Sequence, residues 1–257
     1  MTSPPVAANW GRFHALEDTE RFRLIFRSFG PDKTGKNHFL YTGPSPIALQ
    51  AFDPGGTEGV AEKFIHAGKD IRMSFYRFNK RNIHNIQKEE AVDLRDQFIE
   101  DYELALTRAR SIQWDETEVW ELFRFAEHGK ASAAPKDYVH LNALYRDLIQ
   151  QAYDKGVNLQ LIQKVKERWI SVESTDREGR PIMKPQNTGE FEATGFRDAG
   201  YIVQANFEHT WDAEHGFGIH VLNCRQNMGV AGQTFYNTSF PELAQHIFTN
   251  SEEEDWQ

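Results

Sequence analysis

Phe29-Gly30-Pro31-Asp32-Lys33-Thr34-Gly35-Lys36-Asn37-His38-Phe39-Leu40 is the stretch on which the reading of this chain turns. Gly30, Gly35 and Lys36 stand at the spacing Gly-x4-Gly-Lys-[Ser/Thr] of a phosphate-binding loop. In such a loop the glycines let backbone N–H groups turn toward phosphate oxygens, and the lysine adds a positive charge. Gly30, Pro31, Asp32, Lys33, Thr34, Gly35, Lys36 and Asn37 are therefore the candidate nucleotide-binding residues. Asn37 departs from the motif, standing where a Ser or Thr hydroxyl holds Mg2+. An amide oxygen still ligates a hard cation, so Asn37 is also a candidate metal ligand.

The flanks supply the context such a loop needs. Before it, Phe22, Leu24 and Phe26 alternate with Arg21, Arg23 and Arg27, with Ile25 the one apolar exception, which predicts a strand ending at Gly30. After it, a helix from Lys36 must be short, because Gly43-Pro44-Ser45-Pro46 stops it. Ile47 to Phe52 reads as a second strand closed by Asp53-Pro54-Gly55-Gly56, Glu58 to Lys69 as a helix, and Ile71 to Phe78 as a third strand. Strands joined through helices point to a parallel sheet.

Further on, helical apolar spacing runs from Ile86 to Arg110, and Ser111 to Trp114 is a short strand with Asp115 at its end. Val119 to Ala126 and Tyr138 to Lys155 read as helices ending near Gly129 and Gly156, and Val157 to Gln163 as a central strand. The glycines and prolines of residues 170–195 predict a protruding hairpin or mobile loop. Tyr201 to Trp211 and Gly218 to Cys224 alternate like antiparallel strands at the sheet edge, and Pro241 to Phe248 makes a short helix. The expected organisation is an irregular lead-in over 1–20, one α/β domain over 21–250 and a solvated acidic tail over 251–257.

Composition sets the outer bounds. The chain has 257 residues, 39% hydrophobic, with a net charge of -9, so no overall basic field draws in nucleic acid. Cys224 is the only cysteine, which rules out an intrachain disulfide framework and a cysteine-rich zinc site. It reads as a small buried hydrophobe. No apolar run approaches a membrane span and the first residues do not resemble a signal peptide, so a cytoplasmic location without membrane contact is expected.

Polar residues at the predicted strand ends are the other candidates for chemistry, since ligands of open α/β sheets bind there. Asp53 or Glu58 could orient an attacking water, or be a turn aspartate and a first-turn helix glutamate. Asp115 could complete a magnesium shell, and Glu116 could share that role or simply begin the next helix. Gln163 could sense a γ-phosphate, with Lys164, Lys166 and Arg168 neutralising charge, or these could form a solvated basic loop.

The order of these elements resembles the RecA-like P-loop ATPase core, and most closely the short RecA-like ATPases encoded by bacteriophages, some of the single-strand-annealing or recombinase class. The stretches that carry the resemblance are Gly30 to Lys36, Asp53 to Val60, Asp115 to Leu122, Tyr138 to Ile149, Asn158 to Trp169, Thr194 to Asp198 and Tyr201 to Gln204. It implies a mostly parallel central sheet flanked by helices, with antiparallel edge strands toward the C-terminus. It implies ATP and Mg2+ at Lys36 and its loop, Asp115 in the Walker B role, Asp53 or Glu58 as the water-activating group and Gln163 as sensor. It further implies single-stranded DNA at the 170–195 segment, where Arg177, Arg180 and Lys184 lie, and a homo-oligomer in the host-cell cytoplasm if phage-encoded. The tail from Glu252 to Trp256 resembles acidic tails that recruit protein partners. Asn37 and the polar strand before Asp115 depart from the family pattern. They motivate the alternative of a P-loop fold kept as a non-hydrolysing interaction or structural module.

Overall fold

The computed structural model describes residues 22–77, 88–129, 138–175, 178 and 180–256. The 1–20 lead-in and Arg177 lie outside the described residues. The strands are β1 (Ile25–Phe29), β2 (Ile47–Ala51), β3 (Ile71–Phe75), β4 (Ser111–Asp115), β5 (Asn158–Gln163), β6 (Val165–Thr175), β7 (Pro181–Ala193), β8 (Ala205–Asp212), β9 (Gly216–Cys224) and β10 (Thr234–Tyr236). The helices are α1 (Lys36–Tyr41), α2 (Pro54–His66), α3 (Lys88–Arg108), α4 (Glu116–His128), α5 (Tyr138–Lys155), α6 (Ala199–Ile202) and α7 (Phe240–Ile247).

Eight strands form one sheet in the order β10-β9-β8-β1-β5-β4-β2-β3. From β3 to β8 all neighbours are parallel, and β9 and β10 close that edge antiparallel. Parallel pairing needs crossovers, which the helices supply, so both sheet faces are covered. β1 shows this in its alternation. Ile25 packs with Trp114, Phe98, Phe123 and Tyr145 in the core under α3, α4 and α5. Leu24 and Phe26 pack on the other face with Phe39, Phe207 and Phe240. Cys224 is buried in that second core, as its residue type suggested.

The structure moves several expected boundaries. α2 begins at Pro54, not Glu58, because proline is preorganised for the first helical position. Glu58 therefore lies inside the helix, and its side chain is outside the described residues. The strand expected from Tyr201 opens as the helical turn α6 and becomes extended only at Ala205. β8 is also not an edge strand: it runs parallel to β1 and antiparallel to β9 alone. β6 and β7 pair as a two-stranded antiparallel hairpin with Trp169, Met183 and Phe191 exposed.

The expected solvated tail is a further correction. Glu253–Trp256 is a 3-10 turn, and Trp256 is fully buried against Phe22, Phe240 and Phe248. Its indole N–H donates to Ser251 Oγ at 2.9 Å. The acidic side chains beside it stay exposed. Among the described residues no helix is long and apolar enough to cross a membrane.

Candidate nucleotide site

The parallel strands bring their C-terminal ends to one edge of the sheet. Register places Phe29 beside Gln163, and Ile162 beside Asp115. The loop Gly30–Gly35 sits at this edge between β1 and α1. Gly30 has φ 142°, and a Cβ there would come within 2.2 Å of the His209 carbonyl oxygen of β8, so only glycine fits. Lys33 at φ 63° and Gly35 at φ 82° complete the turn into α1.

Lys36 folds back over this loop. Its Nζ donates to Gly30 O at 2.8 Å and Pro31 O at 2.6 Å, with Thr34 Oγ1 at 3.5 Å. Burial lowers its pKa, against the charges of Asp32 and Asp115. The ammonium is thus held over the loop by carbonyls that an entering phosphate can replace.

Beneath α1 lies a buried polar network that sequence reasoning missed. Gln160 Nε2 donates to Lys36 O and to Ser28 Oγ, each at 2.9 Å. Ser28 Oγ lies 3.0 Å from His209 Nε2. Burial, with the Lys36 charge, pushes the His209 pKa down to about 3, so the ring is neutral. Ser28, Gln160 and His209 sit in strands that carry other polar residues, so local pattern does not single them out.

Asn37 reaches toward β4, where its Oδ1 accepts a long 3.4 Å bond from Gln113 Nε2. Asp115 ends β4 and precedes α4 without capping it through its side chain. Its charge acts on both Lys36 and Lys164. Asn37 and Asp115 offer an amide and a carboxylate oxygen, a donor set that suits a hard cation such as Mg2+. Among the described residues no group of three or more His, Cys, Asp or Glu could hold a metal alone. Phosphate oxygens and water would have to fill the remaining positions.

The other predicted residues divide. Lys164 Nζ pairs with Glu118; burial works against its charge, but that hydrogen bond and the Asp115, Glu118 and Glu121 charges outweigh it and raise its pKa. Gln163 is buried and faces the far side of the strand ends, donating to Glu116 Oε2 at 2.7 Å and Phe196 O at 3.3 Å. Asp53 is exposed just ahead of α2. Lys166 pairs with Glu192 at 3.0 Å on the hairpin, and Arg180 with Glu178 at 2.5 Å. Lys184 is exposed on β7 opposite Val172. Arg168 also pairs across the hairpin with Glu190, so among the described residues of the hairpin Lys166, Arg168 and Arg180 each have a carboxylate partner.

A groove of about 540 Å³ opens directly onto the loop, between Pro31–Thr34 and Thr210, Trp211 and Phe217. Phe217 lies against Gly35, and it pairs with Trp211 across the β8–β9 ladder. Both rings are substantially exposed, at 58% for Trp211 and 42% for Phe217. Sequence reasoning placed no aromatic wall here, because it depends on the pairing of two strands far from the loop in sequence.

No protein-family model matches the chain, and no curated protein matches it in sequence. Among solved structures, the crystal structure of the RadB recombinase is similar over 83% of this chain and 86% of that one, with a TM-score of 0.46 and 10% identity. A likeness this distant assigns no activity to the chain.

Proposed function

We propose that this chain binds ATP with Mg2+ on the Gly30–Asn37 loop, as a RecA-like protein of bacteriophage type. The observation that carries the reading is the loop itself: a turn permitted only by Gly30, closed by Lys36, at the C-terminal edge of a parallel sheet. In this reading Pro31 to Lys36 bind the phosphates, and Asn37 and Asp115 hold the cation, which when bound neutralises phosphate charge. Lys164 stands beside Asp115 to stabilise developing negative charge, with Lys166 further out on the hairpin. Asp53 or Glu58 orients water, and the aromatic groove beside the loop receives the base.

The family resemblance of the sequence extends the proposal to recombination or annealing of single-stranded DNA by a homo-oligomer. Nucleotide affinity for the wild type and Lys36→Ala tests the central claim. A loss of about tenfold or more in the variant is the expected result, since a charge-assisted phosphate contact is removed. Equal weak binding by both proteins overturns it.

A second reading, the P-loop fold kept as a non-hydrolysing module, is favoured by one contact. Asn37 Oδ1 is engaged by Gln113, so the side chain at the magnesium position ties α1 to β4. Turnover by the wild type and by Asn37→Thr separates the two readings.

A further inference from the structure

α4, the start of α5 and residues 195–198 border a second, open pocket of about 440 Å³. Trp120, Arg124, Tyr138, Asn142, Phe196 and Arg197 contribute to its walls. It shares no lining residue with the groove at the phosphate loop. This volume matches a small-ligand site, and its wall chemistry is specific enough to name a ligand class.

Three observations define that class. First, the half-buried Tyr138 ring is backed by the buried Trp120 ring, within 28° of parallel and with centroids 6.4 Å apart, so Tyr138 is the aromatic surface presented to the pocket. Second, the Arg124 guanidinium lies 5.8 Å over the Tyr138 ring, and its Nε–H is buried with no acceptor among the described residues. A buried donor without a partner costs free energy unless a ligand or water accepts from it. Third, the charge of the cavity is positive. Arg197 is exposed at its rim, while Asp198, the carboxylate among the described residues of its wall, is ion-paired with Arg146.

The wall made by residues 195–198 is fixed. The Phe196 N–H donates to Glu116 Oε1 at 2.8 Å, and Phe196 packs on Trp120 with centroids 4.8 Å apart. A bare phosphate would leave the aromatic surface unused, and an aliphatic carboxylate would too. A planar base with an attached phosphate uses the rings, the guanidinium groups and the Asn142 amide together.

We propose that this cavity is a second site for a nucleotide unit, with the base on the Trp120–Tyr138 side and the phosphate on Arg124 and Arg197. It is independent of the Gly30–Asn37 loop. The unit has two sources with the same chemistry, a free mononucleotide or one residue of a single strand.

The test uses the full chain carrying Lys36→Ala, so that the phosphate loop does not contribute. AMP and a short oligothymidylate are titrated without Mg2+ at low salt, first into that protein and then into the same protein with Arg124→Ala, Tyr138→Ala or Arg197→Ala added. Binding is expected to survive Lys36→Ala and to weaken about fivefold or more with each added change, the range seen when stacking or phosphate contacts are truncated. Oligothymidylate binding without AMP binding assigns the site to a strand, and AMP binding assigns it to the free nucleotide. Arg197 is exposed, so its truncation remains informative if Arg124→Ala or Tyr138→Ala fails to fold. The proposal is overturned if neither probe binds the Lys36→Ala protein, or if folded cavity variants bind as it does. Loss of ATP binding by Lys36→Ala alone speaks only to the phosphate loop.

Discussion

Gln163 and Glu116 are joined by a 2.7 Å hydrogen bond in a fully buried position, Gln163 Nε2 donating to Glu116 Oε2. The same carboxyl group accepts from the Phe196 N–H at 2.8 Å and the Tyr145 hydroxyl at 3.2 Å. Burial pushes its pKa up to about 8, against those donors and the nearby Arg27 charge. The end of β5, the start of α4 and the chain leaving the hairpin therefore meet on one side chain. The hairpin is otherwise exposed, and this junction fixes its foot to the edge of the sheet that carries the phosphate loop.

Gly195 makes that junction possible. It has φ 99°, and a Cβ there would lie 2.1 Å from Oε2 of the Glu116 carboxyl group, which accepts from Gln163 at that oxygen and from Tyr145 and Phe196 at Oε1. Gly195→Ala is expected to destabilise the protein by about 2–4 kcal/mol. Gly189→Ala is the control, since Gly189 has φ 76° with nothing within 4 Å of an added Cβ. Left-handed strain alone costs about 1–2 kcal/mol there. Urea denaturation of both variants checks the difference, and equal losses would remove the collision from the account.

How much of this was legible in sequence follows from the range of each interaction. The phosphate loop could be read because Gly30, Gly35 and Lys36 are a local pattern, and the strands because apolar alternation is local too. Glu116 was seen only as a neighbour of Asp115, since a glutamate is ordinarily exposed and only the approach of Gly195, Tyr145 and Gln163 buries it. Trp211 and Phe217 become a wall only once β8 pairs with β9 beside β1. Trp256 looked like part of a solvated tail because its partners Phe22 and Phe240 are distant in sequence.

The docking of Trp256 has a direct consequence for stability. A solvated tail would tolerate truncation, whereas a buried indole packed on three phenylalanines does not. Trp256→Ala is expected to cost about 3–5 kcal/mol by thermal or urea denaturation. A loss near zero would restore the solvated tail.

His209 predicts a specific pH dependence. Its pKa falls from 6.5 to about 3 on burial, so the unfolded chain takes up this proton first as pH drops. The His209 contribution is whole above its unfolded pKa and is lost as pH falls from about 6.5 toward 3. Between pH 7.5 and pH 5 the wild type is expected to lose about 2 kcal/mol more than His209→Gln, which has no titrating ring. Parallel pH slopes for the two proteins would place the proton elsewhere.

Asn37→Thr asks what the amide does at the magnesium position. Its contact with Gln113 is long, at 3.4 Å, so losing that contact is expected to cost less than about 0.5 kcal/mol. A threonine hydroxyl restores the ligand the motif lacks. Mg2+-dependent ATP turnover is expected to rise about tenfold, equivalent to roughly 1.4 kcal/mol in the barrier. A substantial wild-type rate that the substitution leaves unchanged or lowers would assign the role to Asn37 itself and end the non-hydrolysing reading.

Trp211 offers a test of the groove that spares the fold. Its side chain is 58% exposed beside Pro31–Thr34, so truncation opens no core cavity. Stacking depends on the face of a base and not on its edge, so a wall made of Trp211 and Phe217 cannot separate adenine from guanine. Trp211→Ala is therefore expected to weaken ATP and GTP alike, by the roughly 1–3 kcal/mol that base–aromatic stacking contributes. Tripolyphosphate has no base and meets only the loop, so its affinity should not change. Loss of tripolyphosphate binding as well would mean that Trp211 supports the loop and not the base. A loss confined to ATP would require base-edge recognition by hydrogen-bonding groups outside the Trp211–Phe217 wall.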